Sequence, residues 1–387
     1  MAFAPSAPVP QDDAYRAERS RALEMFNKGQ HLEALPIFEN LAKKNPTDKE
    51  VLIGLAGCMI SHAVTVPDDK AAAAERVQAR AYLLKAKELG STSVLMENLL
   101  QKTPADGVIA YDKTPYDQAM RAGEAAFAKR DFPEAVKQYS KALEADPKSH
   151  MAALFVGDTY FTAKDLTQAA VWYEKAIALG PNEETAYRYY SDMLTKQGDM
   201  AKARTMAIRA VVAQPYNPIT WRGLQAWAQA NQVQLVRMHM EIPGSLKQNG
   251  DKNLTINVDP TQPEEAMGVW LSYSLARAGW SDKFKKQFPN EKQYRHSLAE
   301  ESDALTSAAT VWKELNEAAK KPAANLPTDP KLLTLVRLHR AGMIEPYVLL
   351  NAADEGIAQD YDAYREKHRA KLEEYLSTFV VPPAPAK

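Results

Sequence analysis

Residues 116–217 can be set as lines of 34: YDQAMRAGEAAFAKRDFPEAVKQYSKALEADPKS (116–149), HMAALFVGDTYFTAKDLTQAAVWYEKAIALGPNE (150–183) and ETAYRYYSDMLTKQGDMAKARTMAIRAVVAQPYN (184–217). The lines agree column by column. Ala135, Ala169 and Ala203 share a column, as do Ala142, Ala176 and Ala210, Pro147, Pro181 and Pro215, and Asp131, Asp165 and Asp199. A small residue stands at Gly123, Gly157 and Ser191, while Tyr139 and Tyr173 share a column that ends in Ala207. Self-similarity at this period marks helix-turn-helix units stacked side by side, since one pair cannot bury its faces alone. The small residues let the two antiparallel helices of a pair approach closely, and Tyr139 and Tyr173 fill the gap to the next pair.

Working outward, Thr114 before Pro115 is a strong helix start, the hydroxyl serving as cap and the proline fitting the first turn. Upstream, a helical pair spans about Asp12 to Asn45, with Gly29 as its break, Ala34 and Phe38 on one face, and Pro46 as its stop. Glu50 to Ala63 and Lys70 to Leu89 make a second pair. Aligning Ala86 with Ala142 places this partner about eleven residues late, so an insertion lies near Ser61 to Ala72. A short helix around Val94 to Gln101 precedes the linker to Thr114. Downstream, a further first helix starts at Pro218 with Trp221 and Leu224 in register, and its second helix does not follow.

After Asn231 the period changes. Val236, Met238, Met240 and Ile242 alternate with polar residues, and so do Leu254, Ile256 and Val258, with Pro243-Gly244 and Asn249-Gly250 as turn signals between. Residues 236–242 and 253–259 are therefore expected to pair as an antiparallel hairpin resting on a helix. The remainder reads as helices with no repeat: one from Pro263 with Met267, Trp270, Leu271, Ser274, Leu275 and Ala278 on one face, and one from Ser297, whose capping box with Glu300 opens a helix to about Lys320. Asp329-Pro330 starts another ending at Gly342, a short helix covers Glu345 to Ala352, and a long one covers Glu355 to Phe379.

The repeated stretch resembles the tetratricopeptide repeat family. The matching residues are Gly123, Ala126, Ala135, Tyr139, Ala142 and Pro147; Gly157, Tyr160, Ala169, Tyr173, Ala176 and Pro181; and Tyr190, Leu194, Ala203, Ala210 and Pro215. The resemblance is specific over about residues 116–217 and looser over 12–90, and the C-terminal part resembles no family. It implies a mainly α fold, a right-handed helical superhelix or α-solenoid, to which the patterning beyond the array adds a small β-hairpin and a non-repetitive helical C-terminal region. The expected organisation is a Pro/Ala-rich arm (1–11), helical pairs with an insertion (12–113), the array (114–230), the hairpin (231–260), the C-terminal helices (261–380) and a tail (381–387).

The resemblance also implies a concave face, built from the first helix of each unit, that binds peptides. At helical spacing that face contains Met120, Glu124 and Phe127, then Leu154, Asp158 and Phe161, then Arg188, Asp192 and Thr195, and Arg222 beyond. The face departs from the family's carboxylate-clamp form, which uses a lysine and asparagine set, because these positions have neither. The expected partner is a protein or peptide segment with apolar side chains and at least one basic group, and the chain itself acts as a scaffold, adaptor or subunit of a larger assembly. The acids beside Gly123, Gly157 and Ser191 equally suit plain solvation of the face.

Composition bounds the other classes. A formal net charge of −1 offers no electrostatic footprint for nucleic acid or an anionic membrane surface. The one cysteine, Cys58, excludes an internal disulfide framework. The seven histidines show no pair at i, i+4, so no metal or cofactor is expected. Met238-His239-Met240 could hold a soft metal, but on an alternating strand the histidine faces away from the methionines. Tyr294-Arg295-His296-Ser297 with Glu300, Glu301 and Asp303 contains a base, a nucleophile and acids, yet capping accounts for Ser297 and Glu300. The rival reading is an enzyme or small-ligand-binding protein with its site at the junction of the array and residues 231–320, where Trp270, Trp280, Tyr294 and His296 would line a pocket. The expected compartment is cytoplasmic, with Ala2-Phe3-Ala4 leaving open a trimmed export signal and hence a periplasmic or secreted protein.

Overall fold

The recurring aspartates start helices. In the computed structural model, Asp131, Asp165 and Asp199 accept hydrogen bonds from the backbone N–H of Glu134, Gln168 and Lys202 at 3.2, 3.0 and 3.1 Å, which caps the second helix of each pair. The residue before each aspartate, Arg130, Lys164 or Gly198, takes a left-handed φ of 61, 68 or 84°. That reverses the chain between the two helices of a pair.

The structure describes residues 13–109, 114–236, 240, 242–249, 253–258, 264–322 and 325–381. The fold is mainly α, its repeated part a solenoid-type stack of antiparallel pairs. The chain forms two compact units, residues 1–181 and 182–387. The first contains α1 (Asp13–Asn27), α2 (His31–Lys44), α3 (Lys49–Ala63), α4 (Asp69–Glu88), α5 (Val94–Lys102), α6 (Pro115–Ala128), α7 (Phe132–Ala145), α8 (His150–Thr162) and α9 (Leu166–Leu179). Its pairs are α1/α2, α3/α4, α6/α7 and α8/α9, with one core around Phe38, Leu52 and Leu83 and another around Ala135, Tyr139 and Val156. The small-residue column has a steric cause. A Cβ on Gly123 would lie 2.5 Å from the Tyr139 ring, and one on Gly157 would lie 2.9 Å from that of Tyr173.

The second unit starts with α10 (Glu184–Gln197), α11 (Met200–Ala213) and α12 (Pro218–Ala230). Strands β1 (Gly244–Asn249) and β2 (Asn253–Val258) then pair antiparallel in the register Gly244↔Val258 to Asn249↔Asn253, against α13 (Glu264–Ala278). The first strand therefore lies after Pro243 rather than over Val236 to Ile242. Of that expected segment, residues 237–239 and 241 lie outside the described residues, so Met238 and His239 are not placed. Neighbouring amides are already taken: Val236 N–H donates to Val380 O at 2.8 Å, and Met240 N–H to the Tyr347 hydroxyl at 3.0 Å. Amides bound to the C-terminal segment are not free for a ladder.

Helices α14 (Trp280–Gln287), α15 (Leu298–Ala318), α16 (Pro330–Arg340), α17 (Ile344–Tyr347), α18 (Glu355–Ala358) and α19 (Tyr361–Tyr375) follow, with wide turns over Val348–Ala352 and Leu376–Val380. The single long helix expected over Glu355 to Phe379 is broken between α18 and α19. The Asp360 carboxylate is held there by Arg295 at 2.6 Å and by Leu298 N–H at 2.8 Å, and His296 O approaches so close to Gly356 that a Cβ would sit 2.4 Å from it. α19 lies along α11, with the Tyr361 hydroxyl donating to Val212 O at 2.7 Å and Arg209 pairing with Glu373 at 3.1 Å. Among the described residues no helix is long and apolar enough to cross a membrane.

Candidate functional site

The first-helix face of the first unit is carried by α6 and α8. The 34-residue period places Glu124 and Asp158 in one column and Phe127 and Phe161 in another. Phe127 is half-buried, its ring edge-on to Phe132 with centroids 6.0 Å apart, and Phe161 is also half-buried. Asp158 accepts a hydrogen bond from the Tyr173 hydroxyl at 2.8 Å, which ties the acid to α9. Met120 and Leu154, expected on the same face, are only 7% and 1% exposed. They are core residues. Each stands one turn before its acid on the same face but is covered by the surrounding structure, so neither offers surface to a partner.

In the second unit, Arg188 on α10 pairs with Glu184 at 2.9 Å, covers the Tyr189 ring at 4.8 Å and lies over Gly223 of α12. Asp192 is at the surface, where crowding by surrounding protein raises its carboxyl above the ordinary value against the opposing pull of Arg188 and Lys196. Thr195 is turned inward on its own helix and donates to Ser191 O at 2.9 Å. Arg222 is exposed on α12. Of the three acids Asp192 is exposed and Glu124 and Asp158 are half-buried, while Met120 and Leu154 of the expected apolar set lie in the core.

Residues 120–184 match the model of the tetratricopeptide repeat family. The chain carries tetratricopeptide repeats. Solved structures similar to it include MamA from Desulfovibrio magneticus RS-1 (15% identity over 54% of this chain and 98% of that one, TM-score 0.25). The TPR2AB domain of yeast Sti1 in complex with pHSP90 is 16% identical over 56% of this chain and 98% of that one, with a TM-score of 0.29. The P58(IPK) TPR domain is 12% identical over 93% of this chain and 97% of that one, with a TM-score of 0.27. No curated protein matches the chain. Tetratricopeptide repeats are interaction modules, and the chain is accordingly read as a protein-interaction scaffold.

The polar cluster around His296 is an internal brace. His296 Nδ1 lies 2.7 Å from Asp354 and Nε2 3.0 Å from Glu301, which also accepts from the Tyr273 hydroxyl at 2.9 Å. Arg277 pairs with Glu300 at 3.1 Å, and the Tyr294 hydroxyl donates to the same carboxylate at 2.7 Å. Burial alone would lower the His296 pKa, but its two carboxylate partners outweigh that and raise it. Trp270 and Trp280 are core residues at 0% and 4% exposure, so they do not line an opening. Cys58 is buried, and burial pushes its thiol up to about 12, well above the range of reactive thiols. Among the described residues no group of three or more His, Cys, Asp or Glu could hold a metal ion.

Sequence reasoning missed a cleft of about 680 Å³ beside α12, lined by Trp221, Gln225, Gln229, Leu235, Leu350 and Val380 among others. The signal was present in the 34-residue columns. Position 225 falls in the column of Gly123, Gly157 and Ser191 but holds glutamine, and position 233 falls in the column of the capping aspartates but holds valine.

Proposed function

We propose that the protein is a non-catalytic scaffold that holds a peptide segment or helix of a partner protein against the first-helix face of α6 and α8. The partner contributes apolar side chains over Phe127 and Phe161 and a basic group near Glu124 or Asp158. The observation that carries this reading is the recurrence, one period apart, of a half-buried phenylalanine one turn from an acid, next to Met120 and Leu154 that are sealed in the core. Aromatic side chains supply large contact area at low entropic cost and dominate interface energetics. The acids orient the partner and speed its association.

The test uses a partner recovered with the full chain by affinity capture and then purified. Replacing Phe127 and Phe161 together by alanine should weaken its binding by about 2–4 kcal/mol through faster dissociation. Changing Glu124, Asp158 and Asp192 to their amides should flatten the salt dependence of the association rate, while the amide oxygen at position 158 would still accept from the Tyr173 hydroxyl. Both variants should melt like the parent. Parental affinity in both would remove this face from consideration.

A further inference from the structure

The fourth repeat is half a repeat. α12 ends like the other first helices: Gln232 takes a left-handed φ of 56°, 34 positions after Gly198, and Val233 N–H donates to Ala228 O at 2.8 Å. The same bond joins Asp131 to Ala126, Asp165 to Tyr160 and Asp199 to Leu194 at 2.9 to 3.0 Å. The chain has therefore made the turn that elsewhere leads into a second helix. Valine has no side-chain acceptor for the first free N–H groups of that helix, and the next residues, Val233–Val236, form no helix. Among the described residues from Asn231 to Gly244 there is no helix.

The side of α12 that a second helix would cover thus borders the 680 Å³ cleft. Trp221, Gln225, Ala228 and Gln229 of α12 form one wall, Val233 to Val236 another, and Leu350, Asn351 and Val380 close the far side. Among the described residues that line the cleft none is charged, in a chain where Asp, Glu, Lys and Arg make up 25%. Instead Gln225, Gln229 and Gln234 bring side-chain amides, each able both to donate and to accept, which is what a peptide backbone requires, while the Asn351 oxygen is taken by the Tyr375 hydroxyl at 2.6 Å.

We propose that this cleft is a second docking site, taking an extended segment of a partner protein without charged side chains over the part it buries. Three features select that occupant. The volume lies within the roughly 300–1,000 Å³ of ordinary ligand pockets and suits a few residues rather than a domain. Gln225 stands where Gly123 and Gly157 admit an aromatic ring from a second helix, so a helix cannot seat at the usual distance, whereas a thinner extended chain can. A charged side chain entering between described wall residues that carry no counter-charge loses hydration and gains no partner from them. Apolar side chains of the segment meet Trp221, Leu235, Leu350 and Val380, and its peptide groups meet the amides.

The probe is a library of end-blocked pentapeptides drawn from Ala, Val, Leu, Pro, Ser and Gln, with a matched set carrying Lys or Glu at the centre. Titrated into the full chain, the tightest uncharged members should shift the methyl resonances of Leu235, Leu350 and Val380, and the charged set should bind about tenfold more weakly or worse. Gln225→Lys with Gln229→Lys, both exposed positions, should abolish the shifts while the melting midpoint stays parental. The Phe127 and Phe161 alanine variant should bind the probe like the parent, which separates this site from the first-helix face. The proposal fails if no uncharged peptide moves those resonances or if charged peptides bind equally well. It also fails if the lysine variant dissociates a dimer of the parent, since the occupant is then a second copy.

Discussion

The α8/α9 pair and the α13/α15 pair each join two long helices, and they are held together by different physics. In α8/α9 the contact is steric: the Tyr173 ring fills the space left by a missing Cβ at Gly157, with Ala169 and Ala176 fully buried beside it. In α13/α15 an ionic contact is added to the apolar packing: Arg277 and Tyr273 of one helix meet Glu300 and Glu301 of the other, both carboxylates buried. A steric contact needs only small and large residues at fixed spacing, so it can be copied along a chain. An ionic one needs several partners at once, including His296 and Asp354 from other segments, and it is made a single time.

The comparison can be broken at either pair. The largest effect is expected from Arg277→Met, which leaves Glu300 buried without its cation while Glu301 keeps His296, and should cost about 3–5 kcal/mol in urea unfolding. A loss below about 1 kcal/mol would mean the brace is solvated rather than buried. Gly123→Val should cost about 1–3 kcal/mol, because its Cβ meets the Tyr139 ring and the pair must part. An unchanged melting midpoint would show that the small-residue column is not a helix contact. Gly268→Ala sharpens that test: this glycine lies inside α13 with nothing within 4 Å, so alanine should stabilise by about 0.5–1 kcal/mol.

The smallest effect is a pH dependence. The folded-state pKa of His296 is raised, so its stabilising contribution is complete below the unfolded value of about 6.5 and is lost as pH rises through the folded value. The urea-midpoint advantage of the parent over His296→Gln should therefore shrink as pH is raised from about 6 to about 9. Asp354 has the opposite sign. Burial would raise its pKa, but the Ile357 N–H and His296 outweigh that and lower it, so its contribution is present above the ordinary aspartate value and lost on acidification. An advantage that grows with pH would remove the ionic account of this joint.

The repeat period, the helix starts at Thr114, Ser297 and Asp329, and the stop at Gly342 were all legible in the sequence by itself. Each depends on residues within one or two turns of one another, where local hydrogen bonds and backbone conformation decide. Glu124 and Asp158 were legible as one column of the repeat for the same reason. Tertiary structure alone decided that Met120 and Leu154 belong to the core, because a helix face divides between partner and neighbour only once the neighbours are in place. It also placed the first strand after Pro243 and split the last long helix at Asp360, through contacts with Val380, Tyr347, Arg295 and Leu298 that are remote in the chain. The sequence recorded the change at Gln225 and Val233, but only the packed molecule reveals the cleft that this change leaves open.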